Sequence, residues 1–96
     1  MRIACSLGSL LSVEEVLECT KMVSETKIDS IWIPETWGME SFSMLGAVAN
    51  MTKTQKIGSS IINIYSRSPS TISMGAATTD SISDGRLVLG LGTSSI

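Results

Sequence analysis

Apolar residues along this chain alternate between short unbroken runs and stretches spaced three or four apart. Residues 2–7 form the first run, Ile3-Ala4-Cys5, and end in Ser6-Leu7-Gly8. A helix start follows: Ser12 and Glu15 have capping-box spacing, and Leu11 and Val16 can staple across the cap. Val13, Val16, Leu17, Thr20 and Val23 then share one helical face, opposite Glu14, Glu18, Lys21 and Glu25, which predicts a helix from 13 to about 26. Residues 30–34 (Ser-Ile-Trp-Ile-Pro) are apolar on both faces, as a strand covered on both sides requires. After a loop at 35–38, residues 41–52 read as a helix with Phe42, Leu45, Val48 and Ala49 inward. Residues 56–64 form a third strand and 65–68 a loop. Pro69 suits the first turn of a helix reaching about residue 83. Ile72, Gly75, Ala76, Thr79 and Ile82 mark its inner face, and the small residues 75–77 allow close approach to the sheet. Asp84-Gly85 ends that helix, with Gly85 in the left-handed position. Residues 87–91 are the fourth strand.

The order is β-α-β-α-β-α-β, with a unit about every 27 residues, which predicts right-handed crossovers and a parallel sheet. Nothing marks a linker. Two architectures accommodate the pattern: the N-terminal half of a (β/α)8 TIM barrel, with residues 1–96 as its (β/α)4 part and no second domain, or the start of an open doubly wound sheet. Composition bears on the choice. Hydrophobic residues make up 43% and charged residues only 17% of the 96. A free-standing domain of this size needs more surface charge, so the chain reads as part of a larger barrel.

Net charge is −2, with no basic cluster, which argues against nucleic acid as a partner. Cys5 and Cys19 do not form a CxxC pair and read as buried thiols, consistent with a reducing cytoplasm. The N-terminus is a poor signal peptide, and no apolar run approaches the ~20 residues that span a bilayer. The chain has no histidine, so Ser-His-Asp triads, Cys-His pairs and histidine metal sites are excluded within it. The methionines at 39, 44, 51 and 74 read as packing residues.

In either parallel architecture the chemistry belongs at the C-terminal strand ends. Glu35 is the carboxylate directly at such an end. It suits a general base or a cofactor hydrogen-bond acceptor, or alternatively an acid paired with an arginine such as Arg67. Trp37 can stack on a ring system or anchor its loop. Gly58-Ser59-Ser60 is unusual inside an apolar strand. It implies close approach of the backbone by a flat ligand or by a neighbouring side chain. Arg67 can meet an anion or stand solvated. The run from Gly90 to Ser95 carries two of the three glycines of a dinucleotide fingerprint, which leaves a small nucleotide-binding α/β module as an alternative.

Several of these stretches together resemble the luciferase-like monooxygenase superfamily. They are the opening Met-Arg-Ile strand with its early glycine, the run from Ile31 to Trp37, the run from Thr54 to Ile61 with Asn63, Arg67 and Pro69, and above all Ser83-Asp84-Gly85-Arg86-Leu87-Val88-Leu89-Gly90-Leu91-Gly92. The nearest branch is the deazaflavin-using one that includes the methylenetetrahydromethanopterin reductases. The resemblance implies a (β/α)8 barrel of about three times this length. It also implies FMN or the deazaflavin coenzyme F420 at the C-terminal rim, a small-molecule substrate and a homo-oligomeric full-length oxidoreductase. Residue matching assigns Glu35 as the catalytic acid or hydrogen-bonding group and Glu35, Thr36, Ser59, Ser60, Ile61, Asn63, Gly92 and Thr93 as cofactor-binding. It also implies a non-prolyl cis peptide at Ser60–Ile61 backing the ring. Thr36 stands where some sugar-oxidising members have a catalytic histidine, and Ser95 where they have an acid. Hydride transfer or flavin-based oxygen activation therefore fits better than histidine-driven proton abstraction. The segment alone is expected to be inactive, and a truncated half-barrel that pairs with a partner chain is a further alternative.

Overall fold

A computed structural model describes residues 2–8, 10–35 and 38–93. The elements in chain order are β1 (Ala4–Ser6), α1 (Val13–Ser24), β2 (Ser30–Ile33), α2 (Ser41–Met51), β3 (Lys56–Ser59), β4 (Ile62–Asn63), α3 (Pro69–Ile82), β5 (Leu87–Val88) and β6 (Leu91–Gly92). β1, β2, β3 and β5 form one parallel sheet in that order, and β4 pairs with β6 in a second, also parallel. Strictly sequential order is that of a barrel wall. A doubly wound sheet reverses direction at a switch point, and the described strands have none.

Ile31, Ile33 and Ile57 are fully buried and point to the helix side, where they meet Val16, Leu45 and Val48. On α1 the expected capping box is present in both directions, and Val16, Thr20 and Val23 are buried. Val13, expected inward, is exposed at the first residue of the helix. On α3, Ile72 and Thr79 are buried, but Ile82 at its last turn is half exposed. Gly75 is where α3 meets α2: a Cβ there would come within 2.8 Å of the Phe42 ring.

The third and fourth strands are each interrupted, at facing points. β3 ends at Ser59 and the chain resumes as β4, while β5 ends at Val88 and resumes as β6. The ladder changes partner between them: Ser60 N–H donates to Ile33 O (3.1 Å), and Ile62 N–H to Gly90 O (2.7 Å). The Ser59 hydroxyl fills the gap, donating to Gly90 O and accepting from Gly90 N–H, both at 2.8 Å. The cis bond expected at Ser60–Ile61 is not present; the described peptides are all trans. The partner switch breaks the strands without it, and a non-prolyl cis bond would cost roughly 3 kcal/mol.

At the opposite end of the sheet, Arg86 joins three units. Its guanidinium donates to Ala49 O and Thr52 O at 2.9 Å, to Gln55 O and Thr52 Oγ1 at 2.8 Å, and to Ser83 O at 2.6 Å. The Ala49, Thr52 and Ser83 carbonyls lie at the C-terminal ends of α2 and α3, where helices leave acceptors without partners and favour positive charge. Asp84 (φ 57°) and Gly85 (φ 81°) turn the chain so that Arg86 can reach them. Much of the run most characteristic of the resemblance is thus a structural joint.

Candidate active site at the strand ends

The C-terminal ends of β2 and β4 and the N-terminus of α2 converge on Glu35. Its Oε1 accepts from Asn63 N–H (3.3 Å) and Arg67 Nη1 (2.7 Å). Its Oε2 accepts from Ser41 N–H (2.9 Å) and Arg67 Nη2 (2.5 Å). Each carboxylate oxygen therefore has two donors, which is its ordinary capacity. Both side chains are largely buried, at 12% exposure for Glu35 and 13% for Arg67. The Arg67 hydrogen bonds, aided by the Ser41 and Asn63 amides, outweigh burial and hold the Glu35 carboxyl below its usual range. The two carboxylates beside Arg67, Glu35 foremost, raise the guanidinium pKa still further.

Glu40 completes the cluster. It caps α2 by accepting from Phe42 N–H (2.8 Å) and Ser43 N–H (3.0 Å), and pairs with Arg67 Nη2 at 2.6 Å. Burial pushes its carboxyl up, but these hydrogen bonds prevail and its pKa is lowered. Arg67 also sits 5.3 Å from the centroid of Phe42, in cation–π range. Sequence reasoning did not single out Glu40. Its signal was an acidic residue directly before a helix start, where free N–H groups favour an anion.

A cavity of about 380 Å³ opens beside this cluster, lined by Glu35, Gly38, Met39, Glu40, Asn63, Ser66 and Arg67. Asn63 Oδ1 accepts from Tyr65 N–H at 2.8 Å. Its Nδ2 has no protein partner among the described residues, so an oriented donor is available beside the cavity. The other expected site residues fall into separate groups. Ser59 is buried and engaged with Gly90. Ile61 packs against Gly92, where a Cβ would come within 2.5 Å of its Cδ1. Ser60 and Thr93 are exposed. Thr36, Trp37, Ser94 and Ser95 lie outside the described residues.

The alternatives open at Gly58 and Gly90 are also decided. Trp32 lies flat over Gly58, where any Cβ would come within 2.6 Å of Cε3, so the close approach is that of a neighbouring side chain. Gly90 faces the Ser59 carbonyl, and Leu91–Gly92 is strand, so these two glycines shape the sheet.

The family model described as luciferase-like monooxygenase matches residues 1–96. The chain belongs to the luciferase-like monooxygenase family. Within it, the chain is 31% identical over 77 residues to a candidate coenzyme F420-dependent oxidoreductase of Mycobacterium tuberculosis, covering 80% of this chain and 22% of the relative. It is 34% identical over 73 residues to 5,10-methylenetetrahydromethanopterin reductase of Archaeoglobus fulgidus, covering 75% of this chain and 22% of the relative. Its fold superposes with a TM-score of 0.91 on the oxygenating constituent of 3,6-diketocamphane monooxygenase from Pseudomonas putida, a type II Baeyer–Villiger monooxygenase solved with FMN. That likeness is at 16% identity and covers 100% of this chain and 30% of the other. The chain therefore spans under a quarter of the length of these curated luciferase-like relatives, and its fold is that of a segment of their barrel. Family members are oxidoreductases. No helix among the described residues is long and apolar enough to cross a membrane.

Proposed function

We propose that residues 1–96 supply the first strand–helix units of a flavin- or deazaflavin-dependent oxidoreductase barrel, whose cofactor, FMN or coenzyme F420, sits at the C-terminal rim. The observation that carries this reading is the cluster of Glu35, Asn63 and Arg67 beside a cavity at the strand ends, in a chain matched by the family model from end to end. The residues suit such a ring. Asn63 Nδ2 offers a donor to ring carbonyls, Met39 gives an apolar surface, and the charge of Glu35 is offset by Arg67. An electron-rich ring would meet no bare anion from Glu35 there. When bound, the cofactor would exchange a hydride with a small organic substrate or reduce oxygen.

In this reading Glu35 works as a fixed anion. With both oxygens fully engaged, it holds the loops after β2 and β4 together and sets the position of the Asn63 amide. The Ser60–Ile61 backbone, with Gly92 and Thr93, would back the ring, and Thr36 is proposed as a further cofactor-binding residue. Ser59 would contribute by fixing the strand break behind them. A small-molecule substrate, a homo-oligomeric parent and a cytoplasmic location belong to the same reading.

The test is titration of the protein with FMN and, separately, with coenzyme F420, following the fluorescence of each cofactor. Saturable binding of one of them is expected. Binding of neither, by this chain or by a longer product containing it, would overturn the reading.

A further inference from the structure

The face of the sheet away from the helices carries one aromatic side chain among the described strand residues. Ile31 and Ile33 point to the helices, so Trp32 between them points the other way. Ser6, Trp32, Gly58 and Val88 lie in register across β1, β2, β3 and β5. The indole rests on Gly58 and is held at its other end by a 2.9 Å hydrogen bond from Nε1 to Ser30 Oγ. That bond draws it toward the N-terminal end of the strands. On its lower side is an open recess lined by Arg2, Asp29, Ser30, Lys56 and Val88. Two residues further along the chain toward the rim come Gly8, Pro34 and Ser60, just past the ends of β1, β2 and β3. None carries a long side chain. The inner face is therefore covered at the level of Trp32, and the residues that follow toward the strand ends carrying Glu35 and Asn63 are compact.

We propose that Trp32 is the floor of the cofactor site, below the cavity beside Glu35, and a positioning residue that sets how deep the ring sits. The proposal rests on the cofactor reading above. Gly58 belongs to the same device. Without a Cβ it lets the indole lie down, and an alanine there would lift it. Ser30 keeps the ring from swinging upward.

The experiment uses a Trp37→Phe background, in which Trp32 is the sole tryptophan, titrated with FMN and separately with coenzyme F420. Binding is read from the cofactor's fluorescence and proximity from Trp32 emission. Trp32 emission should be quenched in step with binding. Adding Gly58→Ala should weaken affinity about tenfold, a change of about 1.4 kcal/mol. Trp32→Phe, made with Trp37 intact, should leave the fold in place and shift the absorption band of the bound cofactor, which covers the case of a poorly folded Gly58→Ala. If a cofactor binds while Trp32 emission is unmoved and Trp32→Phe leaves the band in place, the floor assignment falls and the cofactor reading stands. If neither cofactor binds the parent protein, both fall together.

Discussion

Arg67 is the residue on which the rim depends most. It bridges two acids, stacks on Phe42 and comes from the loop before α3, so its loss would separate the second and third units at their functional ends. Arg67→Met leaves Glu35 with only two backbone donors in a largely buried setting. Removing one partner of a fully buried pair costs 3–5 kcal/mol, so about 2 kcal/mol is expected at this partly open rim, measurable by urea denaturation. The pH dependence has a definite sign. The Glu35 carboxyl lies below its ordinary value of 4.5 when folded, so its contribution is complete above that value and lost as pH falls through the folded one. Wild-type stability should drop across that acid window, and Arg67→Met should be flatter there because most of the contribution is already gone. Equal acid slopes in the two proteins would show that the pair does not set the pKa.

At the scale of elements, the helices were legible because their signals are local. The Ser12 and Glu15 capping box, the Pro69 start and the Gly85 stop depend on neighbours within four residues, and each is present. The long third and fourth strands were not legible as broken, because the break depends on a partner about thirty residues away, the Ser59–Gly90 contact. The site was legible in part for the same reason. Glu35, Asn63 and Arg67 lie at or just beyond strand ends, whereas the role of Arg86 depends on carbonyls that only the fold brings together. Arg86→Lys tests that role. An ammonium cannot reach acceptors on three segments at once, and burial already opposes the charge, lowering the Arg86 pKa. The expected loss is about 2 kcal/mol, with the C-terminal turns of α2 and α3 gaining hydrogen exchange first. Uniform exchange across all helices would argue against a local joint.

For the whole molecule, the sheet has two outer strands, β1 and β5, with exposed apolar residues beside them: Ile3 at 50% exposure, Val88 at 40% and Leu91 at 51%. Open parallel edges with apolar flanks invite pairing. In the curated relatives, of which this chain spans 22%, the rest of the barrel is available to cover such surfaces. The 96 residues produced alone should therefore self-associate at micromolar concentration, and Val88→Lys should shift the distribution toward monomer in sedimentation velocity. A wild-type chain that remains monomeric would show that the edges protect themselves.

The reach of Arg86 also bears on how the protein is made. The backbone carbonyls of Ala49, Thr52 and Gln55 are synthesised well before the side chain that joins them. While the ribosome is still decoding the third helix, the carbonyls at the end of the second helix lack the Arg86 guanidinium and the base of the second and third units is loose. The nascent chain can form its first strands and helices in order, but these units cannot lock until residue 86 has cleared the exit tunnel. A translational pause just short of that point would hold an open intermediate within reach of chaperones, and a pause just beyond it would release a fixed one.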